Sequence, residues 1–326
     1  MDPEEFKRHC KGMIVVQYCP YREDLGVNWE GLRENTEFLV DFAENGERDV
    51  ILFTNGSTTE CYANTVEEQK KVIKTVVETV NERIPVIAGV SQAGAIKTIK
   101  LAKYTESVGV DGIVVVSPYY HTPTKEGMYR YFKKIANAVD IGIMVYNNPD
   151  VSGAQISPDL TVRISKIDNI VALKDCSTSV ADYALKALKT DPEDIRLING
   201  LGEMEYLASA AYGYRYEGFV SFFGNFAPSL TYEMYEAVQE KDFEKAFGTL
   251  QRQLPLWDFT AKSMEKRAST SIIPECLRAN YMYMSVGKAA LDIVGLNGGP
   301  LRLPCDELAE EEKKELKGIL EDLEVV

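Results

Sequence analysis

The sequence predicts an α/β protein, a (β/α)8 TIM barrel with a C-terminal helical extension. Eight short apolar runs alternate with eight segments of helical apolar spacing, which is typical of parallel βαβ units. Eight units of roughly 25–35 residues match a closed barrel better than an open sheet. No strand pattern follows residue 240. We therefore assign 1–240 to a barrel that carries the active site and 241–326 to a C-terminal helical region.

The predicted strands are short apolar runs, most of them rich in valine and isoleucine. They lie at 13–18, 49–54, 85–90, 112–116, 142–146, 170–173, 195–199 and 218–222. The barrel helices are expected at 29–42, 65–83, 95–108, 127–138, 158–165, 181–189, 204–212 and 230–239, and the C-terminal helices at 243–264, 274–293 and 308–323. Two helix starts carry capping signals: Asn28 precedes the first, and Thr65 opens a pattern close to a capping box.

Composition narrows the class of protein. The chain has 326 residues, 45% apolar and 26% charged, as expected of a globular protein with a large core. Its net charge of −14 disfavours nucleic acid and anionic membranes as partners, because both require a basic surface. No apolar run approaches the roughly 20 residues of a membrane span, and the N-terminus lacks a signal-peptide pattern.

The cysteines and histidines bear on compartment and chemistry. Six scattered cysteines without a C-x-x-C motif are typical of reduced thiols, so we expect a cytoplasmic protein. His9 and His121 are the only histidines, which gives little support to a histidine-rich metal site or a serine–histidine hydrolase. We expect neither a metal nor a cofactor.

Lys174 closes the apolar run at 170–173. A lysine at the end of a buried strand is costly unless it is paired or loses its proton. A neutral amine is a nucleophile that condenses with ketones. Two interpretations are open at this point: Lys174 extends from the strand end into solvent, or it forms a Schiff base.

Other strand ends also carry polar groups. After the second strand, Gly56, Ser57 and Thr58 can hold a carboxylate through backbone amides and hydroxyls, or they form an ordinary polar turn. Tyr146 ends the fifth strand and can relay protons or simply pack. Glu203, after the seventh strand, is a substrate ligand or a carboxylate favoured by a helix dipole.

The active sites of such barrels lie at the C-terminal ends of the strands. A glycine loop with hydroxyls, a tyrosine and a lysine, each at a different strand end, can bind a 2-keto acid and condense its ketone with the amine. The resulting protonated imine accepts electrons from the neighbouring carbon. The sequence therefore indicates keto-acid chemistry through Lys174.

Several stretches resemble the dihydrodipicolinate synthase/N-acetylneuraminate lyase family, whose members are class I pyruvate-type aldolases. They are 56–60 (GSTTE), 117–120 (SPYY) with 126–127 (EG), 146–149 (YNNP), 173–175 (LKD), 287–290 (GKAA) and 298–300 (GGP). The resemblance implies that Lys174 forms the imine and that Tyr146 transfers protons. It also implies that Ser57 and Thr58 hold the keto-acid carboxylate, that the protein is a homotetramer, and that Tyr120 reaches a neighbouring subunit's site.

Two positions depart from the family pattern. Thr59 replaces the second glycine of G-[T/S]-T-G-E, and because threonine resists a positive φ, the geometry of this turn stays open. Val151 stands where the synthases carry the arginine that grips the second substrate's carboxylate. An apolar residue there resembles the sialic-acid lyase branch and the sugar-acid aldolases.

The predicted function is a Schiff-base lyase or aldolase that uses a 2-keto acid, with pyruvate as donor or product and a hydroxylated aldehyde as partner. The alternatives are a 2-keto-3-deoxy sugar-acid dehydratase with the same imine, a 4-hydroxy-tetrahydrodipicolinate synthase despite Val151, and a catalytically idle paralogue that acts as a sensor. The Lys174–Tyr146 pair favours an enzyme over the idle paralogue.

Overall fold

The computed structural model describes residues 1–177, 179–267, 270 and 281–326. Eight strands close into a barrel in chain order, each parallel to its neighbours, and β8 pairs with β1. The strands are β1 Gly12–Val16, β2 Val50–Thr54, β3 Val86–Gly89, β4 Gly112–Val116, β5 Gly142–Asn147, β6 Ile170–Asp175, β7 Arg196–Asn199 and β8 Gly218–Ser221. The predicted barrel is therefore confirmed.

Helices surround the barrel and follow it. They are α1 Pro3–His9, α2 Trp29–Glu44, α3 Val66–Val80, α4 Ala95–Ser107, α5 Lys125–Ala136, α6 Pro149–Ser152, α7 Pro158–Ile164, α8 Val180–Lys189, α9 Glu203–Ala211, α10 Pro228–Gln239, α11 Phe243–Glu265, α12 Met282–Ile293 and α13 Glu310–Asp322. The sequence analysis did not anticipate α1 or α6. Residues 274–280 of the predicted helix at 274–293 lie outside the described residues.

The capping residues predicted from the sequence start their helices as expected. The Asn28 side chain accepts a hydrogen bond from the Gly31 amide at 3.1 Å. Thr65 and Glu68 form a complete capping box, in which each side chain accepts from the other residue's backbone amide. Such caps satisfy amides that have no partner within the helix.

The strands are apolar on both faces because each face packs against a different layer. Ile14 and Ile51 point into the barrel, whereas Val15 and Leu52 pack against the surrounding helices. Alternate residues of a strand point to opposite faces, so a strand between two apolar layers is an uninterrupted apolar run.

Helix α1 closes the end of the barrel where the strands begin. Phe6 is fully buried and belongs to the cluster inside the barrel. A Cβ at Gly112 or Gly142, the first residues of β4 and β5, would lie 2.4 Å or 2.5 Å from the Phe6 ring. Glycine at these two positions therefore makes room for the phenylalanine.

The helices after residue 240 form a second cluster beside the opposite end of the barrel. Tyr18, which follows β1, is fully buried in this cluster and donates a hydrogen bond to the Tyr283 carbonyl of α12 at 2.9 Å. A Cβ at Gly287 would lie 2.0 Å from the Tyr18 hydroxyl oxygen, so α12 approaches the barrel closely there. The division of the chain into two regions at residue 240 stays a prediction. Helix α11, which follows this position, packs along α10, which precedes it.

Within the described ranges, the longest and most apolar helices still fall short of what crossing a membrane requires.

Candidate active site

Lys174 lies inside the mouth of the barrel, near the end of β6. Its side chain and backbone together are 5% exposed. The amine lies 4.1 Å from the centre of the Tyr146 ring and 5.3 Å from that of Phe53. Among the described residues, no carboxylate forms a salt bridge with it. Burial in this apolar site lowers the pKa of Lys174 from 10.5 to about 8, so a substantial fraction is neutral near physiological pH.

Tyr146 stands beside Lys174 because β5 and β6 pair in register at these two residues. The Asn148 side-chain amide donates to its hydroxyl at 2.7 Å, and the Cys176 thiol lies 3.9 Å from the same oxygen. Burial, followed by the nearby Cys176 and Tyr283, raises the pKa of Tyr146 well above its usual value. The phenol is therefore protonated at neutral pH and can donate a proton next to the lysine.

Asn148 fixes this tyrosine from the start of α6. Its side-chain oxygen accepts hydrogen bonds from the amides of Asp150 and Val151, while its amide group holds the Tyr146 hydroxyl. One side chain thus caps a short helix and orients the phenol. The sequence analysis did not assign this role, although an asparagine before Pro149 at a helix start is a capping signal.

The loop after β2 holds the hydroxyls predicted to bind a carboxylate. Gly56 packs against Val16 and Phe53, and a Cβ at Gly56 would lie 2.9 Å and 3.0 Å from their side chains. Ser57 is partly buried and Thr58 is buried. The loop that carries Gly56, Ser57 and Thr58 therefore begins beside the Phe53 ring, which the Lys174 amine also faces.

Thr59 fits this turn without a positive φ. The left-handed backbone angles of the loop fall on Asn55, with φ 53°, and Glu60, with φ 54°. The Thr59 hydroxyl accepts from the Gly56 amide at 3.1 Å and donates to the Gln17 carbonyl at 2.7 Å. Threonine thus closes the loop with its side chain.

Glu60 connects the same loop to the C-terminal region. Its carboxylate is fully buried and forms a salt bridge of 2.6 Å with Lys288 of α12, which is 2% exposed. The Arg302 amide donates to the other carboxylate oxygen at 2.8 Å. The Lys288 amine also donates to the Pro300 carbonyl at 2.7 Å. The motif residues at the two ends of the chain therefore meet at the carboxylate loop.

A second buried lysine lies behind β6. Lys186 of α8 is fully buried and forms salt bridges with Asp175 at 3.1 Å and Asp182 at 2.6 Å. Its amine also donates to the Ser177 hydroxyl at 2.6 Å, and the Asn147 amide donates to Asp175 at 2.7 Å. This network fixes the ends of β5 and β6. It was not predicted from the sequence, because the pairing of Asp175 with Lys186 depends on how α8 packs against the end of β6.

Glu203 is placed differently from what a substrate ligand requires. Its side chain is fully buried, and its carboxylate accepts hydrogen bonds from the hydroxyls of Ser221 and Thr231 at 2.5 Å and 2.7 Å. Burial raises the pKa of Glu203. These contacts join α9, β8 and α10, and they engage the Glu203 carboxylate within the protein.

Tyr120 lies at the surface of this single chain. It is 75% exposed, its ring packs edge-on against His121, and the neighbouring Tyr119 is 41% exposed. It does not join Lys174 and Tyr146 within one chain. Its exposed aromatic surface is of the kind found at protein interfaces.

Val151 lies on α6 and is 43% exposed. Two other arginines, Arg130 and Arg215, do not supply a guanidinium at the mouth in place of Val151. Arg130 is exposed on α5. Arg215 binds Glu217 and the Ile195 carbonyl at the end of the barrel where β7 begins. No cluster of three or more metal-ligating side chains occurs in the described part of the chain.

Known proteins resemble this chain over nearly its whole length. The family model described as the dihydrodipicolinate synthetase family matches residues 9–323. A curated relative from Archaeoglobus fulgidus, named 4-hydroxy-tetrahydrodipicolinate synthase, is 32% identical and covers 97% of this chain and 99% of its own.

Two solved structures extend the comparison. The chloride-inhibited dihydrodipicolinate synthase from Acinetobacter baumannii, complexed with pyruvate, is 28% identical, with a TM-score of 0.81 over 97% of this chain and 100% of its own. A dihydrodipicolinate synthase variant described as the first monomeric one is 25% identical, with a TM-score of 0.82 over 98% and 99%. The structural likeness covers both the barrel and the helices that follow it.

Proposed function

This chain belongs to the dihydrodipicolinate synthetase family, and on that basis we propose that it is a class I lyase in which Lys174 forms an imine with a 2-keto acid. The observation that carries the proposal is the buried Lys174 amine without an acidic partner among the described residues, 4.1 Å from the Tyr146 ring. Pyruvate is the proposed acid, since the Acinetobacter relative was crystallised with it.

The reaction follows from the properties of these groups. The neutral Lys174 nitrogen attacks the ketone carbon, and the resulting carbinolamine loses water to give a protonated imine. Tyr146, which is protonated and fixed by Asn148, donates and recovers the protons of these steps. The imine then accepts the electron pair released when the adjacent carbon loses a proton or a carbon–carbon bond breaks, and water later returns the free lysine.

Ser57 and Thr58, with the amides of the loop at 56–60, bind the keto-acid carboxylate in this proposal. The start of this loop lies beside Phe53, which Lys174 also faces, and this supports the proposed carboxylate site. Hydroxyls and amides can hold a carboxylate without a cation. Gly56 permits the close packing that brings the loop to the rim.

We propose a hydroxylated aldehyde as the second substrate. Val151 offers no donor to a second carboxylate, and Arg130 and Arg215 do not replace it at the mouth. A hydrogen bond to a charged group contributes about 1.5–3 kcal/mol, so its loss lowers the use of aspartate semialdehyde about 10- to 150-fold. The second candidate is 4-hydroxy-tetrahydrodipicolinate synthase itself, which the names of the curated relatives favour. A 2-keto-3-deoxy sugar-acid dehydratase would use the same imine.

For the assembly we propose a cytoplasmic homotetramer in which Tyr120 completes a neighbouring subunit's site. The exposure of Tyr119 and Tyr120 supports an interface there. Because one relative is described as monomeric, the oligomeric state of this protein has to be measured. Light scattering should give a tetramer, and a fully active monomer at assay concentration would contradict both parts of this proposal.

Borohydride reduction in the presence of pyruvate tests the imine. Mass analysis of peptides should locate the adduct on Lys174, and Lys186 and Lys288 serve as internal controls because both are buried but paired with carboxylates. No adduct, or an adduct on another lysine, would overturn the mechanism.

A panel of keto acids and aldehydes then separates aldolase, dehydratase and synthase by their products. With pyruvate and aspartate semialdehyde, a kcat/KM near 10⁵ M⁻¹s⁻¹, an ordinary enzyme value, would establish the synthase and refute the argument from Val151.

A further inference from the structure

Tyr283 brings an aromatic side chain from the C-terminal region to the mouth of the barrel. It is the second residue of α12, and its carbonyl is held by the hydroxyl of the buried Tyr18 at 2.9 Å. Its ring lies 5.5 Å from that of Phe222, just after β8. These two contacts fix both the backbone and the ring of Tyr283 over the strand ends.

The Tyr283 hydroxyl faces the groups already assigned to the site. The Thr58 side chain lies beside it and lowers its pKa by hydrogen bonding, and the nearby Cys176 thiol is among the groups that raise that pKa. Tyr283 is also among the groups that raise the pKa of Tyr146. Burial raises the pKa of Tyr283 to about 12, so at neutral pH the group is a neutral phenol with one proton to donate. Side chains from the loop after β2, from the end of β5 and from the segment after β6 therefore lie near this hydroxyl.

Two cations of the described residues lie near the carboxylate loop, and both already have acidic partners. Lys288 is paired with Glu60, and the Arg302 guanidinium binds Glu68 at 2.7 Å. A carboxylate has two oxygens with about four acceptor positions, which neutral donors at this site can fill. Ser57, Thr58 and a phenol beside Thr58 are donors of this kind.

We propose that Tyr283 is a substrate-binding residue whose hydroxyl donates to the carboxylate of the 2-keto acid held by Ser57 and Thr58. This inference rests on the function proposed above and adds the C-terminal region to the substrate site. If Tyr283 donates this hydrogen bond, the preference for a ketone with a carboxylate depends on a residue of α12. Nothing in the motif stretches of the sequence pointed to Tyr283.

The Tyr283→Phe variant removes the hydroxyl and keeps the ring. Tyr281→Phe is the matched control, since Tyr281 lies two residues away and its hydroxyl donates to Asp306 at 3.0 Å. For each protein, the intact mass after borohydride reduction gives the fraction of molecules that carry a ketone adduct on Lys174. Repeating this over a range of ketone concentrations gives the concentration at which half of the molecules are modified. The probes are pyruvate and acetone, which carries a ketone but no carboxylate.

We expect Tyr283→Phe to raise the half-trapping concentration of pyruvate about 10- to 100-fold, the effect of losing one hydrogen bond to a charged group. The acetone value should change less than about twofold, and Tyr281→Phe should change neither. An unchanged pyruvate value in Tyr283→Phe, or an equal loss for acetone, would overturn the inference. Absence of any pyruvate adduct in the wild-type protein would instead refute the proposed function.

A second measurement does not depend on the variant folding well. With 3-fluorotyrosine placed at position 283, addition of pyruvate should shift the fluorine resonance, whereas acetone should leave it nearly unchanged. A resonance that responds equally to both ketones contradicts a carboxylate contact.

Discussion

Replacing Lys174 by methionine should make the protein more stable at neutral pH while abolishing the imine. The described residues include four buried lysines, and three of them are paired with carboxylates: Lys7 with Glu4, Lys186 with Asp175 and Asp182, and Lys288 with Glu60. Lys174 has no such partner among these residues, and its amine faces the rings of Tyr146 and Phe53, with Cys176 nearby. A charge in such a place costs free energy that a methionine of similar length does not.

The pKa gives the size of the effect. The change from 10.5 to about 8, at 1.36 kcal/mol per pH unit, corresponds to about 3 kcal/mol. Between these two pH values the unfolded chain holds a proton that the folded chain has released, so wild-type stability rises with pH in this window. Below pH 8 the folded protein carries the full penalty, and above pH 10.5 neither state is charged.

Equilibrium unfolding in urea, at one protomer concentration, measures the difference. Lys174→Met should be more stable than the wild type by about 3 kcal/mol at pH 7 and by less than about 1 kcal/mol at pH 10. Lys186→Met is the matched control with the opposite sign: it leaves Asp175 buried without its cation, which typically costs about 3–5 kcal/mol. If Lys174→Met is no more stable than the wild type at pH 7, the amine is not an uncompensated charge.

Three further results are expected. Tyr146→Phe should still form the imine but slow turnover about 10²- to 10⁴-fold; a rate near that of the wild type would make Tyr146 a packing residue. Borohydride trapping at limiting pyruvate should speed up with pH around a midpoint near 8, as the lowered pKa of Lys174 requires, and a midpoint above 10 would contradict a desolvated amine. Lys288→Met should lower the free energy of unfolding by about 3–5 kcal/mol and raise the KM for pyruvate, because Glu60 then loses the salt bridge that anchors the carboxylate loop. An unchanged KM would show that the Glu60–Lys288 pair does not affect pyruvate binding.

The barrel was predictable because its strands are buried on both faces. Such strands are apolar runs in the sequence. The C-terminal end of each run therefore identifies the residue at the mouth of the barrel. That rule was enough to put Lys174 at the mouth. Tyr146 beside it required knowledge of the β5–β6 register, which the sequence supplies only through the order of the strands.

Features that depend on contacts between distant parts of the chain were not predictable in the same way. The pairing of Glu60 with Lys288 joins residues at opposite ends of the sequence. The turn geometry at Thr59 was open because the two hydrogen bonds with which its hydroxyl closes the loop cannot be read from the sequence. Helix α1 spans seven residues, too few for a clear apolar period, although Asp2 before a proline is a usable helix-start signal.

The position of α1 has a consequence for how the protein forms during synthesis. Phe6 leaves the ribosome well before the glycines that accommodate it, which begin β4 and β5. Helix α1 therefore has no apolar surface to pack against until β4 and β5 have been made. Pairings between such distant segments form slowly, and an exposed aromatic residue on a nascent chain invites association. An N-terminal fusion partner that shields α1 during this interval should raise the soluble yield more than the same partner placed at the C-terminus.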